Sequence, residues 1–363
     1  MSSESTVING GLGCDFLVRL PESRANRPVR ILQLTDTQII DSSQRRTPDR
    51  IPADKIAAWA PENFDRQCGN QIRSLVTQTK PDLIFITGDV VYGEFDDKGT
   101  SLLWITALMD SFGIPWAPVF GNHDNESKMG VDYQCGVFEA AEHCLFKRGE
   151  VTGNGNYSVG IAVGDRLLRV IHLLDSNGCA NTTDPAVRRQ KGFGEDQLRL
   201  VEDNTAKIRA AVGAPVPAFM AFHIPHAVFH QAEVEKGYLT PERFKYVIGV
   251  DTPAKDGDFG FKHCFCDTFE TETDIFELAA KNSIEALFIG HHHKTATVIS
   301  YRGLKLVFGL KTGQYDSYVP GNLGGTLITL YGSEYELSHI SGCCPYGPVP
   351  PSETVFADFF IKE

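Results

Sequence analysis

Ala286-Leu287-Phe288-Ile289-Gly290-His291-His292-His293 is an apolar run that stops abruptly at a glycine followed by three histidines. A short, fully apolar run reads as a strand buried on both faces. Three histidines directly after it have no packing rationale, but histidine is a common metal ligand. His291 and His293 point the same way if the backbone stays extended there. Four other apolar runs also stop at a metal-ligand type: Leu34-Thr35-Asp36, Ile86-Thr87-Gly88-Asp89, Phe120-Gly121-Asn122-His123-Asp124 and Ala221-Phe222-His223. Each is weak alone: Gly-Asp after a strand is usually a turn, and a solitary histidine is usually a core residue with its hydrogen bonds satisfied. Their shared placement at strand C-termini carries the reading, because α/β sheets put ligand sites there. The donors suffice for two divalent or trivalent metals, a recurrent means of hydrolysing phosphate esters.

Composition sets the outer limits. The chain has 363 residues, 42% hydrophobic and 22% charged, ordinary for a globular protein. No run approaches the ~18 apolar residues of a membrane span. The start, Met1-Ser2-Ser3-Glu4, has neither a basic nor an apolar leader segment, so the expected location is cytoplasmic. A net charge of −12 argues against nucleic acid or an anionic membrane as partner. The expected partner is a small phosphorylated substrate; oligomeric state is not legible. Nine cysteines show no Cys-x-x-Cys pair, and the close pairs Cys264/Cys266 and Cys343/Cys344 lack zinc-ribbon spacing. They read as free thiols of a reducing compartment.

Along the chain, residues 1–27 read as an irregular arm, residues 28–345 as one domain and residues 346–363 as a C-terminal extension. Residues 41–62 form a long polar loop after the first strand. Helical spacing predicts helices from Phe64 to Lys80, Leu102 to Phe112, Glu195 to Val212 and Thr271 to Lys281. Strands are expected at Leu83–Thr87, Trp116–Phe120 and Ile284–Ile289, and a hairpin at 157–174 around Gly164-Asp165. Residues 251–268, rich in Asp and Gly, read as a second active-site loop, and the end of the chain is β-rich. Alternating strands and helices early and hairpins late imply an α/β (α+β) domain of mixed sheets packed between helices.

The ordered set resembles the calcineurin-like metallophosphoesterases, whose pattern is Asp-x-His, Gly-Asp, Gly-Asn-His-Asp/Glu, a lone His, then Gly-His-x-His. The resemblance spans roughly residues 29–332. Tyr92, three after Asp89, and His223-Ile224-Pro225 are similar to the purple-acid-phosphatase-like branch. The resemblance implies a two-sheet mixed β-sandwich flanked by helices. It also implies two metal ions, iron, zinc or manganese, and hydrolysis of a phosphate mono- or diester by a metal-bound hydroxide. Asp36, Asp89 and His293 would hold the first metal; Asp89 would bridge to the second, completed by Asn122, His223 and His291. His123 would assist the leaving group, with Asp124 orienting it. Alternatives kept open are a cyclic-nucleotide-type diesterase and a non-catalytic, metal-binding descendant.

One position departs from the pattern: Gln38 stands where most relatives carry histidine. Either Gln38 binds the first metal through its amide oxygen or a water while Tyr92 packs, or Tyr92 binds it as a phenolate. Asn122 and His226 are candidate substrate contacts. His230 and His292 lie beside the motifs, with surface or packing roles an equal alternative. Lys311 and Tyr315 suit either a phosphate contact or a simple glycine-containing turn.

Overall fold

A computed structural model describes residues 5–40, 64–178, 191–314, 318–319 and 321–342. In chain order the elements are β1 (Thr6–Asn9), β2 (Phe16–Leu20), β3 (Val29–Leu34), α1 (Phe64–Thr79), β4 (Leu83–Thr87), α2 (Thr100–Asp110), β5 (Trp116–Val119) and α3 (Gly130–Ala140). The middle of the chain adds β6 (Tyr157–Val163), β7 (Arg166–Leu173), α4 (Glu195–Val212), β8 (Ala218–Ala221), α5 (Val228–Glu235), β9 (Tyr246–Ile248), β10 (Phe259–Lys262) and α6 (Ile275–Lys281). The last strands are β11 (Ile284–Ile289), β12 (Thr295–Tyr301), β13 (Leu304–Phe308), β14 (Gly324–Tyr331) and β15 (Glu334–Ser341).

These strands build two sheets. One has ten strands, ordered β1-β2-β6-β7-β8-β11-β13-β12-β10-β9, and the other five, ordered β15-β14-β3-β4-β5. In the smaller sheet β3, β4 and β5 run parallel; in the larger, β7, β8, β11 and β13 do. The sheets pack face to face, and Phe85 of β4 meets Phe288 of β11 edge-to-face at a centroid distance of 5.5 Å. Along β11, Ala286 and Phe288 join this inter-sheet core, while Leu287 and Ile289 join a second core under α4, α5 and α6. Burial on both faces is why residues 83–86 of β4 and 286–289 of β11 are unbroken apolar runs, readable from sequence. Helix α1 contributes Cys68, Ile72 and Leu75 to the first core, so helices flank the sandwich on both sides. The result is the mixed two-sheet sandwich that the resemblance implied.

Three expectations need revision. The arm at 1–27 is not irregular: β1 and β2 pair antiparallel, and β2 joins β6 in the large sheet. Leu17, Val18 and Leu20 are fully buried there, a short apolar stretch hidden between glycine-rich and charged segments. Residues 251–268 are not one loop, since β10 crosses them, and helices α3 and α5 had no reading at all. The loop at 41–62, Tyr315 and the extension at 346–363 lie outside the described residues. Among the described residues no helix is long and apolar enough to cross a membrane.

Candidate metal centre

The C-terminal ends of the parallel strands in both sheets converge on one point. Asp36 and Gln38 follow β3, Asp89 follows β4, and Asn122 and His123 follow β5; His223 follows β8, and His291 and His293 follow β11. Two donor groups result, Asp36–Asp89–His293 and Asp89–His223–His291, and within each the ligand atoms lie within 4.8 Å of one another. Asp89 belongs to both.

Close packing at the strand ends is built into the motif glycines. A Cβ on Gly121 would fall 2.1 Å from Asp89 Oδ1, and one on Gly290 would fall 2.0 Å from Thr35 Oγ1 and 2.6 Å from Asp36 Oδ2. Asp36, Gln38, Asp89 and His291 all take the left-handed backbone conformation, with φ of 51°, 45°, 50° and 74°. Such strain in non-glycine residues persists where surrounding structure enforces it, typically at functional sites. Here hydrogen bonds enforce it: Asp36 N donates to Gly88 O, Gln38 N to Asp89 O, and His291 N to Asp36 Oδ2.

The donors fit a cation. His223 donates from Nδ1 to Thr87 O at 2.7 Å, which leaves the Nε2 lone pair facing Asn122 Oδ1 at 3.2 Å and Asp89 Oδ1 at 3.3 Å. Lone pairs aimed at one another are stable only with a proton or a metal between them. Asp36 Oδ1 is buried, 3.1 Å from His293 Nε2, yet it has no hydrogen bond among the described residues. Burial opposes charge on Asp36 and Asp89, but His293 and His223 beside Asp36, and His223 and His123 beside Asp89, outweigh it and hold both carboxyls well below the usual range. Burial likewise disfavours charge on His223, yet Asp89 and Asp36 push it up to about 9. Burial keeps His291 well below the ordinary histidine value, hence neutral and able to ligate.

Gln38 is the exception. Lys311, buried in the loop after β13, donates from Nζ to Gln38 Oε1 at 2.6 Å and to Asp36 O at 3.3 Å. An ammonium only donates, so it fixes the amide: the oxygen faces Lys311, and the NH2 faces His293 Nε2 at 3.3 Å and Asp89 Oδ2 at 3.5 Å. The expected oxygen ligand is therefore already engaged, and what Gln38 turns to the centre is a donor. Tyr92 is buried with its ring stacked on His123, centroids 4.6 Å apart and planes 19° from parallel.

Two further expectations change. Asp124 does not orient His123; its buried carboxylate accepts from Val91 N at 3.0 Å and Gly121 N at 2.7 Å, tying β5's end to β4's. Burial and the nearby Asp89 charge push Asp124 up to about 7. The group on His123 is Glu126, 2.7 Å from Nδ1, a residue that sequence reasoning passed over although it stands one helical turn away. His226 is not placed to touch substrate. Its Nδ1 accepts from Val228 N, its Nε2 meets Thr271 Oγ1, and Phe269 packs against its ring. A cavity of about 310 Å³ opens over the centre, lined by Asp89, Asn122, His123 and His291–His293 on one side and by Cys264, Phe265, Asp267 and Lys294 on the other.

Comparison with known proteins gives a matching lineage. The family described as calcineurin-like phosphoesterase matches residues 29–295. The chain is 33% identical over 310 residues to "Probable inactive purple acid phosphatase 14" of Arabidopsis thaliana, covering 79% of this chain and 71% of that one. It is 23% identical over 334 residues to "Probable inactive purple acid phosphatase 29" of the same plant, covering 82% and 77%. Among solved structures, purple acid phosphatase PPD1 from yellow lupin seeds superposes with a TM-score of 0.48 at 14% identity, over 89% of this chain and 53% of that one.

Proposed function

The chain belongs to the calcineurin-like phosphoesterase family, and we propose that it is a hydrolase of small phosphate esters built on a two-metal centre. The observation that carries the reading is the position of Asp89 in both donor groups, which a single-metal site would not need. Asp36, Asp89 and His293 would hold one ion; Asp89, Asn122, His223 and His291 would hold the other. A bound pair supplies Lewis acidity toward phosphate oxygens and lowers the pKa of a water nucleophile.

The remaining residues are assigned by geometry. His123 lies on the cavity wall with its side chain 18% exposed, Glu126 at Nδ1 and Tyr92 stacked beneath it, so its Nε2 is the atom to protonate a departing alkoxide. The Gln38 NH2, turned inward by Lys311, is placed to donate to a phosphate oxygen. Lys294 brings a positive charge to the cavity rim, useful in a chain of net charge −12. A volume of about 310 Å³ suits a small ester, since small-molecule pockets begin at roughly 300 Å³.

The test is metal analysis joined to hydrolysis of a chromogenic phosphate monoester and diester. The wild type should hold at least two ions per chain and turn over one ester class. Asp89→Asn should lose at least one ion and nearly all activity; activity within a few-fold of wild type at unchanged metal content would remove Asp89 from the bridge. A second reading, a non-catalytic descendant, is favoured by the Lys311 ammonium against Gln38 Oε1 and by the "probable inactive" names of two relatives. Two bound ions without hydrolysis of either ester would select it.

A further inference from the structure

Beside the two-metal centre stands a second cluster of ligand atoms that the proposed chemistry does not use. Cys264 and Cys266 lie in the segment after β10, and His292 lies between the two histidines that follow β11; their ligand atoms are within 4.8 Å of one another. We propose that Cys264, Cys266 and His292 form a third metal site, for one soft divalent cation of the zinc class.

The donor chemistry is of the right kind. Thiolate and imidazole nitrogen are the ligands that select zinc over hard cations. His292 Nε2 lies 3.1 Å from Asp267 O. A carbonyl oxygen accepts only, so the proton is on Nε2 and the lone pair on Nδ1. A ring N–H given to a backbone carbonyl is the usual outer partner of a metal-ligating histidine. Thr295 Oγ1 adds a hydroxyl 3.3 Å from Cys264 Sγ and 3.8 Å from Cys266 Sγ.

The surrounding charges are compatible with a dication. Lys262, on β10 and almost wholly buried, pairs with buried Glu233 at 2.8 Å and also donates to Cys266 Sγ at 2.8 Å. An ammonium against the sulfur favours the thiolate that a metal needs. Lysine and glutamate cancel, and two thiolates, a neutral imidazole and one dication also cancel, so loading the half-buried cluster leaves no net charge behind.

Three protein donors leave a fourth position, and the site has an opening for it. Cys264 and His292 line the same cavity as Asn122 and His123. Closed structural zinc sites have four protein ligands, whereas three plus an open position is the arrangement that admits water or a substrate oxygen. A cation there would also clamp the 263–268 segment to the turn between β11 and β12, fixing one wall of the cavity.

The experiment uses the full-length protein, stripped of metal under reducing conditions and reloaded with Co²⁺. None of the two-metal donors carries sulfur, so a thiolate-to-cobalt charge-transfer band in the near ultraviolet reports a cysteine site apart from that centre, and its loss in the serine variants assigns it to this cluster. The wild type should show the band and bind one cobalt more per chain than Cys264→Ser or Cys266→Ser, which should lack it; Cys144→Ser should keep it. None of these readouts depends on hydrolysis, so the site stands or falls apart from the proposed activity. No band in cobalt-saturated wild type overturns the site, even if the serine variants fail to fold. So does equal stoichiometry in wild type and folded variants. Peptide mapping that finds a Cys264–Cys266 disulfide in protein purified without reductant also overturns it.

Discussion

Replacing Lys311 with methionine should tighten the first metal while weakening the metal-free protein. Lys311 Nζ sits 2.6 Å from Gln38 Oε1 and 3.3 Å from Asp36 O, with the side chain buried. A divalent ion held by Asp36 would lie a few ångströms from that ammonium. At a separation of about 5 Å and an effective dielectric of 20, the two repel by roughly 7 kcal/mol. Relaxation of the lysine and its gain from the Asp36 and Asp89 charges remove most of that. A residual of about 1.4–2.8 kcal/mol corresponds to a ten- to hundredfold tighter first site in Lys311→Met. The variant also frees Gln38 Oε1 to ligate. Until a metal takes it, that buried oxygen has lost its donor, at a cost of about 1–3 kcal/mol. The assay is calorimetric titration of demetallated wild type and variant with Zn²⁺ and Mn²⁺, with melting temperatures measured with and without metal. The variant should melt lower without metal and gain more from it. An unchanged or weaker first affinity would refute the reasoning and make Lys311 a partner of the loaded centre rather than a competitor.

Four other perturbations probe the site and the fold. His123→Ala should leave metal content intact and slow hydrolysis ~10²–10⁴-fold, most for esters with poor leaving groups. Glu126→Gln should slow it roughly tenfold by weakening the hydrogen bond at Nδ1, and a loss of bound metal in either variant would make His123 a ligand. Gly290→Ala forces a Cβ to within 2.0 Å of Thr35 Oγ1, so it should cost ~1–3 kcal/mol of stability by overpacking and reduce metal retention; a fully loaded variant with wild-type melting would contradict the close approach. His172 is buried on β7 and burial lowers it from 6.5 to about 4. Because its folded value lies below the unfolded one, its contribution is present above pH 6.5 and is lost as pH falls toward 4, up to about 3 kcal/mol. Melting of His172→Gln should therefore fall less steeply than wild type between pH 6.5 and 4, and parallel curves would dismiss the assignment.

Where the sequence was legible, burial on both faces made it so. The strands β4 and β11 have the bounds their apolar runs implied, because β4 has no solvent-facing position and β11 has one, Glu285, near its start. The edge pairs were not legible for the opposite reason. Strand β1 is largely exposed, and β9 and β10 are short and partly exposed, so no alternation stands out. Helix α3 carries Gly130 and Gly136, and α5 spans only eight residues, too little for a periodic signal. At the site, every donor directly after a strand was visible as an abrupt change of residue type. Side chains that reach in from elsewhere were not. Glu126 acts from a turn beyond the motif, and Lys311, which suited either a phosphate contact or a glycine-containing turn, was not legible as the partner of Gln38.

That distinction bears on how the centre differs from its relatives' pattern. Gln38 read in isolation is a weaker copy of a histidine ligand. With Lys311 behind it, the same residue is a donor aimed inward by a buried positive charge, and under the proposed function its role changes from holding a cation to meeting an anion. The charge of Lys311 lies on the Asp36 side, and His223, which Asp89 and Asp36 push up to about 9 against the effect of burial when metal is absent, lies on the other. The two halves are therefore electrostatically unequal before any ion binds. The half built on Asp89, Asn122, His223 and His291 has no ammonium set against it among the described residues, so it should fill first. The half at Asp36 and His293 should then bind its ion more tightly when a phosphate, drawn to Lys311 and Gln38, brings negative charge with it. On this argument metal occupancy and substrate binding are coupled through two residues, and neither of them needs to be a metal ligand.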